Sequence, residues 1–150
     1  MSNEKIDSYD PRIHFPIEDL DNPWANDCYA RVSHPLVRKL ENKLAELERG
    51  SYALAFNYGM AAISAFFWSF LKPLDRIIIA EDLYAGTAAL CHEELKRFRI
   101  QIDAVDTRNS ENIRHAIRPK TKILFFETIS NPQLWITDIE AAVRIAHEQN

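Results

Sequence analysis

Glycine is unusually scarce in this chain. Only 3 of its 150 residues are glycine, about 2%, where roughly 7% is usual in globular proteins. Tight turns and helix ends commonly place glycine where the backbone is left-handed. We therefore expect residues with side chains to occupy some of those positions.

Cysteine and long apolar stretches are also lacking. The two cysteines, Cys28 and Cys91, are too few for a disulfide framework. The first ten residues, MSNEKIDSYD, contain no apolar core of a secretory signal. The longest apolar run, residues 60–71, contains two serines and is too short to cross a bilayer. These features predict a cytoplasmic protein with reduced thiols and no membrane partner.

The charge balance gives no sign of a polyanionic partner. The net charge is −4, and the basic residues are scattered rather than gathered into a dense block. This makes a nucleic-acid partner a poor hypothesis. With 47% hydrophobic and 27% charged residues, the chain has the composition of one folded globular domain.

The pattern along the chain predicts an arm followed by a domain. Residues 1–33 contain three prolines and no sustained period, so they read as an extended arm or a disordered tail. A helix should begin at Pro35 and end before Gly50. Its apolar face would be lined by leucines, namely Leu36, Leu40, Leu44 and Leu47. Residues 34–150 would then form the domain.

Strand and helix patterns alternate after this first helix. Strands are predicted at residues 52–56, 76–80, 100–105 and 123–126, and helices at 60–71, 86–97 and 110–117. The 60–71 helix is apolar enough to be largely buried. A last helix should start near Asp138, with Thr137 and Glu140 fitting a capping box. The alternation predicts an α/β fold with a doubly wound, mostly parallel sheet.

Parallel sheets bind ligands beyond the carboxyl ends of their strands, and three such ends carry suggestive residues. Gly59 opens a helix whose free N–H groups suit a phosphate, although an ordinary helix entry has the same pattern. Tyr84 lies between a strand and a helix, where its ring could cover a planar ligand or simply be half-buried. Asn131 precedes a proline, which holds its backbone extended. Its amide could face a ligand or belong to a simple turn.

No metal site or hydrolase motif is predicted. Cys91-His92-Glu93-Glu94 lacks a second histidine one helical turn on, since position 96 is Lys96. No Gly-x-Ser-x-Gly segment occurs either.

Four segments, in order, carry a resemblance to a known family. They are FNYGMAAI at residues 56–63, DLYAGT at 82–87, TKILFFETISNPQL at 121–134 and DI at 138–139, with Tyr-Ala-Arg at 29–31 upstream. This series resembles the Cys/Met-metabolism enzymes that use pyridoxal 5′-phosphate (PLP). These include cystathionine γ-synthase, cystathionine β- and γ-lyases and methionine γ-lyase. The resemblance covers about residues 27–147, and it implies the large domain of a fold-type-I enzyme, here incomplete.

The resemblance implies specific roles in the cofactor site. Gly59 and Met60 would offer backbone N–H groups to the PLP phosphate. Tyr84 would stack on the pyridine ring and could assist proton transfer. Asn131 would donate to the phenolic oxygen of the ring, and Glu127 would lie nearby.

It also implies an oligomer. Tyr29 and Arg31 would reach the phosphate held by a neighbouring subunit, in a homodimer or homotetramer. The reaction would be a C–S lyase or γ-replacement reaction on a sulfur-containing amino acid, as in transsulfuration.

The departures from the family concern both chemistry and turns. The family's Schiff-base lysine lies in a Ser-x-Thr-Lys segment that this chain does not contain, and Lys122 is a poor substitute because it begins a strand. We therefore expect the chain alone to be inactive. Leu74 and Arg99 stand where the family has small residues or glycine. The alternatives are a non-catalytic remnant or interaction module that keeps this fold and, ranked last, an unrelated nucleotide-binding domain.

Overall fold

The computed structural model describes residue 21 and residues 29–148. The chain divides into two compact units, Met1–Phe56 and Asn57–Asn150. Most of the predicted arm lies outside the described residues.

The described part of the first unit is organised by one helix, α1, which spans Pro35–Leu47. His34 caps it, because its Nδ1 accepts the N–H of Leu36 at 3.1 Å. The helix stops before Gly50, as predicted, but glycine is not the left-handed residue. Arg49 takes that conformation with a φ of 54°, and the N–H of Gly50 donates to the carbonyl of Ala45 at 2.8 Å.

The leucine face of α1 is largely exposed, since Leu40 and Leu47 are 51% and 66% exposed and Ala45 is the buried residue of the helix. One prediction for this unit is wrong. Residues 52–56 do not form a strand. The N–H of Ala55 donates to the carboxylate of Glu41 at 2.8 Å, so it is used outside any strand ladder.

The second unit alternates helices and strands. Its elements are α2 Gly59–Phe70, β1 Arg76–Ala80, α3 Ala85–Ala89, β2 Gln101–Val105, α4 Ser110–Ala116, β3 Thr121–Phe125 and α5 Ile139–Glu148. A π-helical segment, Leu90–Leu95, continues α3. Apart from small shifts at their ends, these elements are the ones predicted for this part of the chain.

The three strands form a parallel sheet in the order β2-β1-β3. In the register, Ile77 of β1 is opposite Ile102 of β2 and Ile123 of β3. β1 occupies the centre, and its three isoleucines are at most 1% exposed. A strand covered on both faces in this way is expected to be an unbroken apolar run, and β1 is one.

Helices cover both faces of the sheet. One cluster packs Phe67 of α2 and Leu95 of the π segment against Ile77 and Ile79 of β1. The other packs Ile113 of α4 with Ala142 and Ile145 of α5, against side chains that include Leu124 of β3. The predicted α/β architecture with a parallel sheet is confirmed.

Helix α2 is less buried than its composition predicts. Phe67 is fully buried, whereas Phe66 and Phe70 are 44% and 60% exposed. The prediction of a largely buried helix is therefore wrong. In the described part of the chain, no helix combines the length and hydropathy that a membrane crossing requires.

The cap of α5 also differs from the prediction. Asp138, not Thr137, is the N-cap, because its carboxylate accepts the N–H of Ala141 at 3.0 Å. The Thr137 hydroxyl instead lies 2.6 Å from that of Thr107 in the interior. A buried hydroxyl that already has a partner is not free to cap a helix.

Left-handed backbone occurs at five residues with side chains, and at no glycine in the described residues. They are Arg49, Leu74, Arg99, Lys120 and Leu134. The expectation that side chains replace glycine at tight turns is confirmed, including at Leu74 and Arg99. Each such residue costs roughly 1–2 kcal/mol relative to an unstrained backbone.

Glycine at these turns should stabilise the chain. We expect Arg99→Gly and Leu74→Gly each to raise the free energy of unfolding by about 1 kcal/mol, because the left-handed strain is removed. Urea unfolding followed by circular dichroism measures the change. The matched control is Lys96→Gly, which lies in right-handed helix and should lose about 1 kcal/mol. Destabilisation by Arg99→Gly would contradict the role of strain at this turn.

Candidate active site

The carboxyl ends of the three strands meet at one rim of the sheet. A narrow cleft there is lined by Ala80, Glu81, Asp82, Asp106, Thr107, Glu127, Ser130, Trp135 and Thr137. A larger cavity of about 410 Å³ lies at the other end of β3 and is lined by residues that include Lys120 and Lys122. Because parallel sheets bind ligands at the carboxyl ends of their strands, we take the rim as the candidate site despite its smaller cleft.

The start of α2 offers free N–H groups beside this rim. The first backbone N–H of the helix that donates to a helix carbonyl is that of Ala61, which bonds to the carbonyl of Tyr58 at 3.0 Å. The amides of Gly59 and Met60 precede it and have no partner in the helix itself. Space is open above Gly59, where an added Cβ would meet no atom within 4 Å. A phosphate has both donors and room here.

Tyr84 lies where the sequence predicts, between β1 and α3. Its ring is 56% exposed and folds over the backbone of Gly86. A Cβ on Gly86 would come within 2.6 Å of the Tyr84 ring and 3.3 Å of the Met60 sulfur. The Thr87 hydroxyl also reaches the Met60 sulfur at 3.6 Å. Tyr84, Gly86 and Met60 are thus brought together, although Met60 lies at the start of α2 and the other two lie at the connection between β1 and α3.

Glu127 links the loop after β3 to the loop after β1. Its carboxylate accepts the N–H of Tyr84 at 3.0 Å. The loop after β3 therefore holds the backbone of the residue whose ring faces the site. A carboxylate acceptor makes this a charge-assisted hydrogen bond, stronger than one between neutral groups.

Asn131 lies at the tip of a small hairpin after β3. The hairpin is closed by an antiparallel bridge between Ile129 and Ile136, and by the N–H of Ser130 donating to the carbonyl of Trp135 at 3.0 Å. The peptide bond between Asn131 and Pro132 is cis. The side chain of Asn131 is exposed. The Ser130 hydroxyl next to it donates to Asp82 at 2.5 Å.

The Arg108 side chain packs on Trp135 of this hairpin. The Arg108 guanidinium lies 3.6 Å from the centre of the Trp135 ring and pairs with both oxygens of Asp106, at 2.8 and 2.7 Å. The Arg108 hydrogen bond holds the pKa of the Asp106 carboxyl below its ordinary value. Asp106 is therefore charged throughout the neutral range.

Several residues of the rim are missed by reasoning from sequence. They are Asp82, Arg108, Ser130 and Trp135. Asp82 and Arg108 lie shortly after the ends of β1 and β2, and Ser130 and Trp135 lie inside the hairpin after β3. Their position is the signal that could have found them. That position becomes informative only once the hairpin and the strand register are known.

Tyr29 and Arg31 belong to the first unit, where they contact each other. The Arg31 guanidinium lies 4.4 Å from the centre of the Tyr29 ring. Arg31 is exposed. Their predicted role toward a neighbouring subunit stays a prediction.

Metal ligation finds no support among the residues that the structure describes, since they include no group of three or more His, Cys, Asp or Glu side chains placed to hold a metal ion. Burial raises the pKa of the Cys91 thiol to about 11. Cys91 is therefore a neutral core residue at physiological pH.

The donor set at the rim fits the cofactor that the resemblance implies. PLP presents a phosphate dianion, a planar ring and a phenolic oxygen. The described residues offer first-turn amides at Gly59 and Met60, an exposed ring at Tyr84 and an exposed amide at Asn131. The phosphate, the ring and the phenolic oxygen each have a counterpart of suitable type, whereas the aldehyde has none.

Comparison with known proteins identifies the family. Residues 18–150 match the family described as Cys/Met metabolism PLP-dependent enzyme. The chain is 41% identical over 122 residues to the L-methionine gamma-lyase of Pseudomonas deceptionensis, covering 81% of this chain and 31% of that protein. It is 46% identical over 118 residues to the cystathionine beta-lyase MetC of Staphylococcus haemolyticus, covering 79% and 30%.

A solved structure gives the same result. The cystathionine gamma-lyase of Lactobacillus plantarum, complexed with L-serine, superposes with a TM-score of 0.81 at 36% identity, over 91% of this chain and 35% of that one. The fold is that of the fold-type-I PLP enzymes. The chain spans about a third of the length of the relatives it matches. It belongs to the Cys/Met metabolism PLP-dependent enzyme family.

Proposed function

We propose that this chain supplies the phosphate- and ring-recognition part of the active site of a PLP-dependent enzyme of sulfur amino-acid metabolism. The reaction class is cleavage or replacement at a carbon–sulfur bond. The observation that carries the proposal is the convergence of Met60, Tyr84 and Gly86, with Glu127 bound to the Tyr84 backbone, at the carboxyl edge of a parallel sheet.

The phosphate would lie at the start of α2. The amides of Gly59 and Met60 would donate to its oxygens, and the 12-residue helix adds the positive end of its dipole. Tyr29 and Arg31 would come from a neighbouring subunit of a homodimer or homotetramer. A guanidinium there would add a bidentate clamp on the dianion.

The ring would lie against Tyr84. Asn131 would donate its amide N–H to the phenolic oxygen and so fix the rotation of the ring. The Tyr84 hydroxyl would move a proton at the substrate or leaving group. When bound, PLP supplies the electron sink for the reaction, and the protein supplies orientation and proton control.

The chain alone would be inactive. Lys122 gives no replacement for a Schiff-base lysine at the rim, because it is the second residue of β3 and lines the cavity at the opposite end. We also propose a cytoplasmic location, since the named relatives are enzymes of amino-acid metabolism.

Removing one amide should test the phosphate site. Gly59→Pro takes away an N–H at the first position of α2, where proline is well tolerated, and Tyr58 before it is already extended. We expect it to weaken binding of pyridoxamine 5′-phosphate about tenfold, as lost hydrogen bonds to a charged group do. Fluorescence titration measures the affinity, and this ligand has no aldehyde to react with surface lysines.

The matched control is Ser110→Pro, at the first position of α4 and also after an extended residue. It should bind the ligand like the unmodified chain. Equal affinity in Gly59→Pro, or no binding by the unmodified chain, would refute the phosphate site.

A chimaera should test the catalytic role. We expect this chain, fused in place of the aligned third of the Pseudomonas deceptionensis methionine gamma-lyase, to hold PLP and release thiol from L-methionine. The chain alone should neither hold PLP covalently nor release thiol. In the chimaera, Tyr84→Phe should lower turnover about 100-fold, in the range of lost proton-transfer catalysis, while the surface control Ser69→Ala leaves it unchanged. Thiol release by the chain alone would contradict its inactivity.

The second candidate function is an interaction module without catalysis. The exposed aromatic residues of α2 favour it, because Phe66 and Phe70 are 44% and 60% exposed and their rings lie 4.9 Å apart. Apolar surface of this kind usually marks a contact with another protein.

Sedimentation should reveal such a contact. We expect the chain to self-associate, and Phe70→Glu to lower the apparent association constant at least about tenfold. The control Val143→Glu changes a residue of α5 with similar exposure, 46%, and should leave association unchanged. A monodisperse monomer would contradict this candidate.

A further inference from the structure

We propose that Asp82 and Ser130 are positioning residues, forming a latch that sets Asn131 relative to Tyr84. The latch joins the loop after β1, residues 81–84, to the hairpin after β3, residues 129–136. The inference rests on the proposed function, because it assigns a purpose to the positions of these two ligand-facing side chains.

Ser130 is the fixed point of the hairpin. It is 5% exposed, and its hydroxyl is used twice: it donates to the Asp82 carboxylate at 2.5 Å and accepts the N–H of Trp135 at 3.0 Å. Its own N–H and carbonyl bond to Trp135 and Leu134. Because this hydroxyl is buried and its only proton goes to Asp82, it cannot donate to a ligand, and its role is to hold the hairpin.

Asp82 connects that fixed point to the loop of Tyr84. Asp82 and Tyr84 are separated in the chain by Leu83, which is buried. A second link runs in the opposite sense, from the Tyr84 N–H to the Glu127 carboxylate. Two charge-assisted hydrogen bonds thus join the loop after β1 to the segment after β3, residues 127–136. Together they fix both the separation and the relative rotation of the two segments.

The residues that face the ligand do not hold themselves in place. Asn131 and Tyr84 are exposed, so their own packing constrains them little. Their neighbours, Ser130 and Leu83, are buried. Preorganisation of a site depends on such supporting contacts, and the latch is the contact that both ligand-facing side chains share.

Binding of pyridoxamine 5′-phosphate tests this purpose. We expect Ser130→Ala and Asp82→Asn each to weaken binding about fivefold, and Asn131→Ala to do the same. The double variant Ser130→Ala/Asn131→Ala should be no weaker than Asn131→Ala alone, because the latch acts through Asn131. Independent, multiplying effects would overturn the proposal.

Thr121→Val is the matched control. It removes a hydroxyl that accepts the N–H of Arg118 at 3.0 Å, at the opposite end of the sheet, so it should also lose stability. Since it leaves both links between the loops intact, ligand affinity should not change. A loss equal to that of Ser130→Ala would mean that the latch is merely structural.

Amide hydrogen exchange tests the latch without any ligand. In Ser130→Ala we expect the Trp135 and Tyr84 amides to exchange at least about tenfold faster, while amides of β1 keep their rates. Unchanged exchange at Tyr84 would overturn the latch even if the ligand binds. Absence of ligand binding with faster exchange at both amides would refute the proposed cofactor site and leave the latch standing.

Discussion

The parallel pairing of β1 with strands on both sides is the constraint on which the second unit depends. Ile77, Ile78 and Ile79 are all but fully buried, so neither face of β1 is available to water. Such a strand is stable only if helices cover both faces, and α2 with the π segment covers one while α4 and α5 cover the other. Parallel pairing also places all three carboxyl ends at one edge. The candidate site is a consequence of this pairing, because it collects the loops that follow the buried strand β1 and its two partners.

Prediction from sequence succeeded where a residue's own surroundings decide its structure. After Arg76, the strand Arg76–Ala80 is an uninterrupted apolar run, and Pro35 is the first residue of α1. These features depend on local pattern alone. The roles that the family's motif series implies for Gly59 and Asn131 stay predictions.

It failed where a distant partner decides. Residues 52–56 have the composition of a strand, but a strand exists only when another backbone accepts its hydrogen bonds. Within the described residues, the N–H of Ala55 goes to the Glu41 side chain instead. Thr137 fits a capping box by spacing, yet Thr107, 30 residues earlier in the chain, takes its hydroxyl. The contact between Asp82 and Ser130 spans 48 residues and has no local signature at all.

The scarcity of glycine is matched by backbone strain at several turns. Five side-chain residues adopt left-handed backbone, and two of them, Leu74 and Arg99, flank the entrances to β1 and β2. The carbonyl of Arg99 accepts the N–H of Leu74 at 3.0 Å, so the two strained turns support each other. The sheet tolerates this strain because the turns start strands whose burial is large. A smaller core would not stabilise the same turns.

The charge of the rim argues that the site needs a cation from elsewhere. Glu81, Asp82, Asp106 and Glu127 are carboxylates that line the cleft, and Arg108 already pairs with Asp106. A phosphate dianion close to three further carboxylates would be repelled unless positive charge were added. The dipole of α2 supplies about half a unit charge, which is too little. A guanidinium or ammonium from another segment would therefore strengthen the proposed binding of a phosphorylated cofactor, and this is the physical argument for the proposed role of Arg31 at the phosphate of a neighbouring subunit.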